Sequence, residues 1–231
     1  KWCKFYEAME LLTYDNSKEL LRKVIDDINL ARQGKSNPMN IALPEMTNLE
    51  GVTKDTMVVS AAGRIVDQKG LDIFAEAIEE FLERHKGEKN LPVFYVQGIG
   101  DTSYVDKLLA VKQRIAQKYG NEAANRIVYA KLFSEPGRYD GCKLMSDFTV
   151  MSSWFEPCGL VHKQNAAFSA AIAIVNKVGG LTAGLKNKVN ALFVKFMPRF
   201  DNYEMALEHN SDELAKTMED ACNLFHDQDK F

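Results

Sequence analysis

The sequence predicts an α/β protein: a Rossmann-like, doubly wound parallel sheet in residues 57–231, preceded by an N-terminal helical appendage. Two observations carry this prediction. Short apolar runs of four to six residues alternate with helical patterns of roughly 10–15 residues, as in βαβ units with right-handed crossovers. The runs are apolar on successive residues, which is expected of strands whose two sheet faces are both covered by helices.

The elements follow from this alternation. Residues 1–56 form a first unit, a helical segment followed by a connector rich in turn formers. In residues 57–231 we predict six strands, at 57–62, 92–97, 126–130, 147–151, 172–175 and 190–193. The predicted helices lie at 71–82, 104–119, 140–145, 159–171 and 211–225, and Ser211 caps the last of them.

Composition excludes several classes of function. The chain has 231 residues, 46% of them hydrophobic and 26% charged, and a formal net charge of only −3. The mixed charges predict no nucleic-acid partner, and no apolar run approaches the roughly 20 residues of a membrane span. The chain begins at Lys1 without a basic and then apolar leader, and its four thiols are widely spread, so we expect a cytoplasmic protein. Because Lys1 is not an initiator Met, we expect further sequence upstream.

The four cysteines lie far apart and form no C-x-x-C pair, so we expect neither a zinc site nor a disulfide scaffold. Cys158 precedes a predicted helix, whose N-terminus lowers a thiol pKa, so a nucleophilic role is one interpretation. No base is adjacent in sequence, and a packed small thiol is the other interpretation.

Two loops that follow predicted strands carry charged residues suited to a ligand. Arg64 ends the first strand and Lys69 precedes the first helix, a pair of cations that can grip a diphosphate or form surface ion pairs. Glu156 follows the fourth strand, just before a helix N-terminus that suits a phosphate. In open α/β sheets, ligands bind at such carboxyl ends of strands.

Two further loops are rich in glycine. Gly179 and Gly180 follow the fifth strand, where paired glycines let the backbone approach a ligand closely or simply make a turn. Gly98 and Gly100 follow the second strand, and without a third glycine they make no dinucleotide fingerprint. We interpret that loop as a structural turn.

The order of these motifs resembles the C-terminal half of bacterial glycogen synthases and plant starch synthases, over residues 57–195. The motifs are G-R-x-x-x-Q-K-G-L-D from Gly63, G-x-G-D from Gly98, S-x-W-F-E-P-C-G-L from Ser152 and V-G-G-L from Val178. The resemblance implies the C-terminal half of a GT-B fold, in which two Rossmann-like domains enclose a cleft.

The resemblance implies a retaining glucosyltransferase that moves glucose from ADP- or UDP-glucose to an α-1,4-glucan, without a cofactor or metal. Arg64 and Lys69 would stabilise the departing nucleoside diphosphate, and Glu156 would hold a glucose hydroxyl; these three are the implied catalytic residues. The implied donor-binding set is Arg64, Lys69, Phe133, Glu156, Cys158, Gly159, Leu160, Gln164, Gly179 and Gly180. The acceptor-side N-terminal domain is missing, so we expect this fragment alone to be inactive.

Several positions depart from the family pattern. Trp154 stands in place of an Arg, Val161 and Val178 in place of Thr, and Gln164 in place of a second carboxylate. These departures favour an alternative, a catalytically degenerate GT-B domain that acts as a nucleotide- or glucan-binding or interaction module. A GT-B enzyme with another acceptor is a third interpretation. A nicotinamide oxidoreductase is a fourth, and the missing fingerprint disfavours it.

Overall fold

The structure, a computed structural model, describes residues 56–131, 146–157, 159, 171–182, 184–200 and 202–227. Within these residues six strands form one sheet in which every pairing is parallel. The strands are β1 (Val58–Ala62), β2 (Val93–Gln97), β3 (Ile127–Ala130), β4 (Phe148–Met151), β5 (Ile172–Asn176) and β6 (Ala191–Val194). The helices are α1 (Leu71–Arg84), α2 (Thr102–Tyr119), α3 (Asn121–Asn125) and α4 (Tyr203–His226).

The strand order is β3-β2-β1-β4-β5-β6, which is the order of a Rossmann fold. The chain builds outward from β1 to β3 and then returns to the other side of β1. Strands β1 and β4 are therefore neighbours, with Val59 opposite Phe148, and their connections leave in opposite directions. This switch in direction opens a crevice at the carboxyl ends of β1 and β4, the place where ligands bind in such sheets.

The sheet is buried on both faces, as the apolar strands predict. Alternate strand residues such as Phe94, Phe148 and Ile174 join a large core with α1, α2 and α4. Their neighbours, among them Tyr95 and Val175, are equally buried on the opposite face in two smaller clusters. The predicted Rossmann-like α/β fold is therefore confirmed. The helices predicted at 140–145 and, except for its end residues, at 159–171 lie outside the described residues, as do residues 1–55 of the predicted N-terminal unit.

One predicted boundary is wrong. Helix α4 begins at Tyr203, eight residues before the predicted start, and Asn202 is its cap, since its side chain accepts a hydrogen bond from the Met205 N–H. Ser211 lies buried inside the helix, where its hydroxyl donates to the Leu207 carbonyl. A serine that bonds back to the preceding turn resembles a cap in sequence but continues the helix. The short helix α3, after Gly120, was not predicted either.

Candidate functional site

The loop after β1 and the loop after β4 are bound together by their backbones. Gly70 has a φ of 63°, and a Cβ there would lie 2.1 Å from the Ser152 carbonyl oxygen. The Ser152 hydroxyl donates to the Gly70 carbonyl at 2.7 Å. The Trp154 N–H donates to the Gln68 carbonyl at 2.9 Å, and the Gln68 amide donates to the Phe155 carbonyl at 2.8 Å. The two loops are therefore joined into one surface at the carboxyl ends of β1 and β4, which we call the wall of the site.

This wall brings together two residues that the sequence predicts for the site. The Lys69 ammonium forms an ion pair with the Glu156 Oε2, across 87 positions in sequence. The other carboxylate oxygen accepts a hydrogen bond from the Gly159 N–H at 3.2 Å. Glu156 is 6% exposed, so its charge is held by these partners in a largely water-excluded place. A fixed, buried carboxylate of this kind suits the recognition of a hydroxyl group.

Arg64 has a different environment. It is exposed, and no residue in the described parts of the chain accepts a hydrogen bond or forms an ion pair with its guanidinium. It lines a pocket at the carboxyl ends of β1, β2 and β4, together with Gly63, Lys69, Gln97 and Ser153. An exposed guanidinium in the lining of a pocket, without a partner among the described residues, can bind an anion bidentately.

Gly179 and Gly180 pack against the same loop from the side of β5. Gly179 has a φ of 44°, and a Cβ there would lie 2.3 Å from the Glu156 carbonyl oxygen. The Gly180 N–H donates to that carbonyl at 2.6 Å. The paired glycines therefore allow their backbone to contact the backbone of Glu156. Their predicted contact with a donor stays a prediction.

The loop after β2 pairs with the loop after β1. The Ile65 N–H donates to the Ile99 carbonyl at 3.0 Å, and the Asp101 N–H donates to the Ile65 carbonyl at 2.8 Å. A Cβ at Gly100 would lie 1.9 Å from the Ile65 carbonyl oxygen, and one at Gly98 would lie 2.1 Å from the Gly63 carbonyl oxygen. The two glycines therefore allow this loop to lie directly against the loop after β1, where Gly100 and Ile65 form a parallel bridge.

Two of the departures from the family pattern contribute to apolar packing. Trp154 is buried, with its ring 5.9 Å from that of Phe196 and 5.8 Å from that of Tyr203. Val178 packs against the apolar cluster beside β5. Neither side chain lines the pocket. The remaining predicted positions, Phe133, Cys158, Leu160 and Gln164, lie outside the described residues, as does Val161.

A charged cluster stabilises the turn that contains Lys69, and the sequence analysis did not predict it. The Arg199 guanidinium donates two hydrogen bonds to the Asp67 carboxylate, one of them at 2.7 Å, and lies 5.2 Å from the Trp154 ring centre. The Tyr104 hydroxyl also donates to Asp67, at 2.7 Å. No sequence signal joins Asp67 to Arg199, since 132 positions separate them. The cluster fixes the turn Asp67–Lys69 from three different elements.

This cluster predicts a pH-dependent contribution to stability. The hydrogen bonds from Arg199, helped by Tyr104, lower the pKa of Asp67 from 3.8 to about 2. Because the folded pKa is below the unfolded one, the contribution is present above about pH 4 and is lost as the pH falls toward 2. We expect Asp67→Asn to lower the Tm by a few degrees at pH 7, since the pair is half-exposed, and the difference from wild type to vanish near pH 2.

Thermal unfolding followed by circular dichroism between pH 2 and pH 7 measures this difference. Asp106→Asn is the matched control, because Asp106 is exposed on α2 and forms no ion pair with any described residue. The control variant should match wild type at every pH. A deficit for Asp67→Asn that stays constant over the whole range would contradict the assignment.

Two negative findings concern the described residues. They contain no group of three or more His, Cys, Asp or Glu side chains placed to hold a metal ion. None of the helices in this part of the chain combines the length and the apolar character that crossing a membrane requires.

Comparison with known proteins gives the family relationship. No family model matches the chain. The chain is 28% identical over 191 residues to glycogen synthase 1 of Synechocystis sp., which is 80% of this chain and 35% of that protein. It is also 28% identical over 200 residues to the glycogen synthase of Alkaliphilus metalliredigens, covering 87% of this chain and 37% of that relative. This chain is similar in sequence to bacterial glycogen synthases.

The chain also matches solved glycosyltransferase structures. The α,α-trehalose 6-phosphate synthase of Burkholderia multivorans superposes with a TM-score of 0.57 at 16% identity, over 80% of this chain and 39% of that protein. The C-terminal domain of a glycosyl transferase group 1 family protein from Francisella tularensis superposes with a TM-score of 0.52 at 20% identity, over 72% of this chain and 77% of that one. At these identities the similarity concerns the fold.

Together the comparisons confirm the predicted resemblance. The curated relatives are glycogen synthases, the class of glycosyltransferase that the motifs predict. This chain spans just over a third of the length of these relatives, about 35–37%. Of the two solved structures, this chain covers most of the length of one, the C-terminal domain from Francisella tularensis, and the likeness is one of fold.

Proposed function

We propose that this chain is the donor-binding domain of a glucosyltransferase, and that it binds a nucleotide sugar at the carboxyl ends of β1 and β4. The proposal rests on the presence of a buried carboxylate and two cations at the same end of the sheet. The buried carboxylate of Glu156 lies against Lys69, while Arg64 lines the adjoining pocket without a partner among the described residues. A nucleoside diphosphate sugar needs such a combination, cations for the diphosphate and a carboxylate for a sugar hydroxyl.

The roles of these residues follow from their chemistry. Glycosyl transfer places negative charge on the departing diphosphate, and cations already aimed at that charge stabilise the transition state. Arg64 provides a positive charge without a described partner, and Lys69 provides a second one that is shared with Glu156, so we propose that leaving-group stabilisation needs no metal. Glu156 would accept a hydrogen bond from a hydroxyl of the transferred glucose. The backbone N–H groups of Cys158 and Leu160 are predicted to meet a phosphate oxygen, whereas the predicted contact of the Gly159 N–H competes with the hydrogen bond that it donates to Glu156.

For the complete enzyme we propose transfer of glucose from ADP- or UDP-glucose to an α-1,4-glucan, with retention of configuration and in the cytoplasm. The support is the similarity to glycogen synthases over most of this chain. Because the chain spans just over a third of those proteins, the acceptor side would come from a second, N-terminal domain. A chain that binds nucleotide but transfers nothing when joined to that domain would instead be the degenerate binding module.

Isothermal titration calorimetry with ADP, UDP, ADP-glucose and UDP-glucose tests the donor-binding proposal. We expect at least one nucleotide and its glucose conjugate to bind, with an affinity that EDTA leaves unchanged. Arg64→Ala should weaken both the nucleotide and its conjugate about tenfold or more, because a hydrogen bond to a charged group contributes roughly 1.5–3 kcal/mol.

Lys89→Ala is the matched control for Arg64→Ala. Lys89 is an exposed cation in the loop before β2, at the opposite edge of the sheet, so its variant should bind every ligand like wild type. If no nucleotide binds at millimolar concentration, the proposed function is wrong. If Arg64→Ala binds as wild type does, the assignment of Arg64 to the diphosphate is wrong.

A further inference from the structure

Ser153 has a buried hydroxyl that the fold does not use. The residue lies two positions after β4 and is 1% exposed. Its carbonyl accepts a hydrogen bond from the Asn176 side-chain amide at 3.2 Å, which fixes the backbone at this point. Its Oγ, in contrast, has no hydrogen-bond partner among the residues that the structure describes. A buried hydroxyl without a partner destabilises the folded state and calls for an explanation.

Other buried serines near Ser153 do have hydrogen-bond partners for their hydroxyl groups. The hydroxyl of Ser152 donates to the Gly70 carbonyl at 2.7 Å. The hydroxyl of Ser146 donates to that of Ser60 at 2.6 Å, beneath the sheet surface. Buried serines in this part of the fold are therefore satisfied by protein partners, and Ser153 is an exception.

Ser153 lies where an anion is expected. Ser153 lines the pocket at the ends of β1 and β4 together with Arg64 and Lys69, the two cations of the site. Glu156, the residue assigned to the sugar, does not line this pocket. The part of the site that contains Ser153 is thus the cationic part, and a hydroxyl donates readily to a phosphate oxygen.

We propose that Ser153 is a further donor-binding residue, whose hydroxyl donates a hydrogen bond to an oxygen of the diphosphate held by Arg64 and Lys69. The proposal rests on the proposed function and deepens it. It explains why the hydroxyl has no partner among the described residues, since binding of the diphosphate supplies one. The hydrogen bond that the hydroxyl lacks in the folded chain would then form on binding and contribute to the affinity for the ligand.

The test compares Ser153→Ala with wild type in titrations with inorganic pyrophosphate, ADP, UDP and their glucose conjugates, together with the Tm of each protein. Because the hydroxyl has no partner to lose among the described residues, we expect the Tm of Ser153→Ala to equal or exceed that of wild type. We expect its Kd for pyrophosphate to rise about tenfold, with the same factor for nucleotides and conjugates, as for one hydrogen bond to a charged group.

Ser60→Ala is the matched control, since Ser60 is equally buried but pairs with Ser146 and lies outside the pocket lining. It should lower the Tm and leave the Kd for pyrophosphate unchanged. Equal affinities of Ser153→Ala and wild type for pyrophosphate would overturn the proposal. A loss confined to the glucose conjugates would also overturn it, by moving Ser153 to the sugar.

The pyrophosphate titration separates this proposal from the proposed function. If wild type binds pyrophosphate but no nucleotide, and Ser153→Ala weakens that binding, the role of Ser153 stands and the proposed function fails. If nucleotides bind but Ser153→Ala has no effect on them or on pyrophosphate, the proposed function stands and the role of Ser153 fails. Absence of binding to every ligand overturns both.

Discussion

Glu156→Gln is expected to raise the Kd for a nucleotide glucose about 10- to 100-fold while leaving the Kd for the free nucleoside diphosphate unchanged or lower. The first effect follows from the loss of a charge-assisted hydrogen bond to a sugar hydroxyl, worth roughly 1.5–3 kcal/mol. The second follows from the ion pair in the wall of the site. Without the carboxylate, the positive charge of Lys69 is no longer neutralised by Glu156 and attracts the diphosphate more strongly.

Glutamine is the appropriate replacement because its side-chain carbonyl can still accept the hydrogen bond from the Gly159 N–H. Calorimetry with ADP or UDP and with the matching glucose conjugate measures both effects on one sample. Glu79→Gln is the matched control, since Glu79 is also a buried carboxylate with cationic partners, Arg114 and Lys118, but lies on α1 outside the pocket lining. Equal losses for nucleotide and conjugate in Glu156→Gln would remove Glu156 from sugar recognition.

Gly70→Ala is expected to lower the free energy of unfolding by about 2–5 kcal/mol, the largest loss of stability that we predict for any single substitution in this protein. The backbone at Gly70 is left-handed, which costs a residue with a Cβ roughly 1–2 kcal/mol. The new Cβ would in addition lie 2.1 Å from the Ser152 carbonyl oxygen, so the two loops must separate, at a cost of about 1–3 kcal/mol. We expect a fall in Tm of about 10 °C and weaker nucleotide binding, because Lys69 is the preceding residue.

Gly87→Ala separates the two contributions. Gly87 also has a positive φ, 86°, but a Cβ there would have no atom within 4 Å. This control should therefore lose only the conformational part, about 1–2 kcal/mol, and should bind nucleotide like wild type. Thermal unfolding and calorimetry of both variants give the comparison. If the two variants lose the same stability, the tight contact between Gly70 and Ser152 is not what holds the loops together.

Much of the fold could be predicted because the signals are local. The run Val93–Gln97 is apolar over a strand length and lies between turn residues, so its structure follows from its own composition. The error at α4 has the opposite origin. Ser211 and Asn202 are both residues that favour helix caps, and only packing shows that Ser211 is buried inside the helix and Asn202 lies at its start.

The candidate site was predicted in part. The charges of Arg64, Lys69 and Glu156, and their positions after predicted strands, identified them without any knowledge of distances. The ion pair between Arg199 and Asp67 was not predicted, because no pattern in either segment indicates that the two lie close together in the fold. Nor was the isolation of the Ser153 hydroxyl, since a serine in a sequence does not show which groups surround it.

The sequence by itself therefore determined the α/β class, the positions of the six strands and the resemblance to glycogen synthases, because each of these depends on short segments of the chain. Only the tertiary structure shows that Lys69 forms an ion pair with Glu156. It also shows that Arg64, in the pocket lining, has no partner among the described residues. The physical reason is the order of the strands. Because β1 and β4 become neighbours only when the sheet assembles, contacts between their loops depend on the whole sheet and on no single segment.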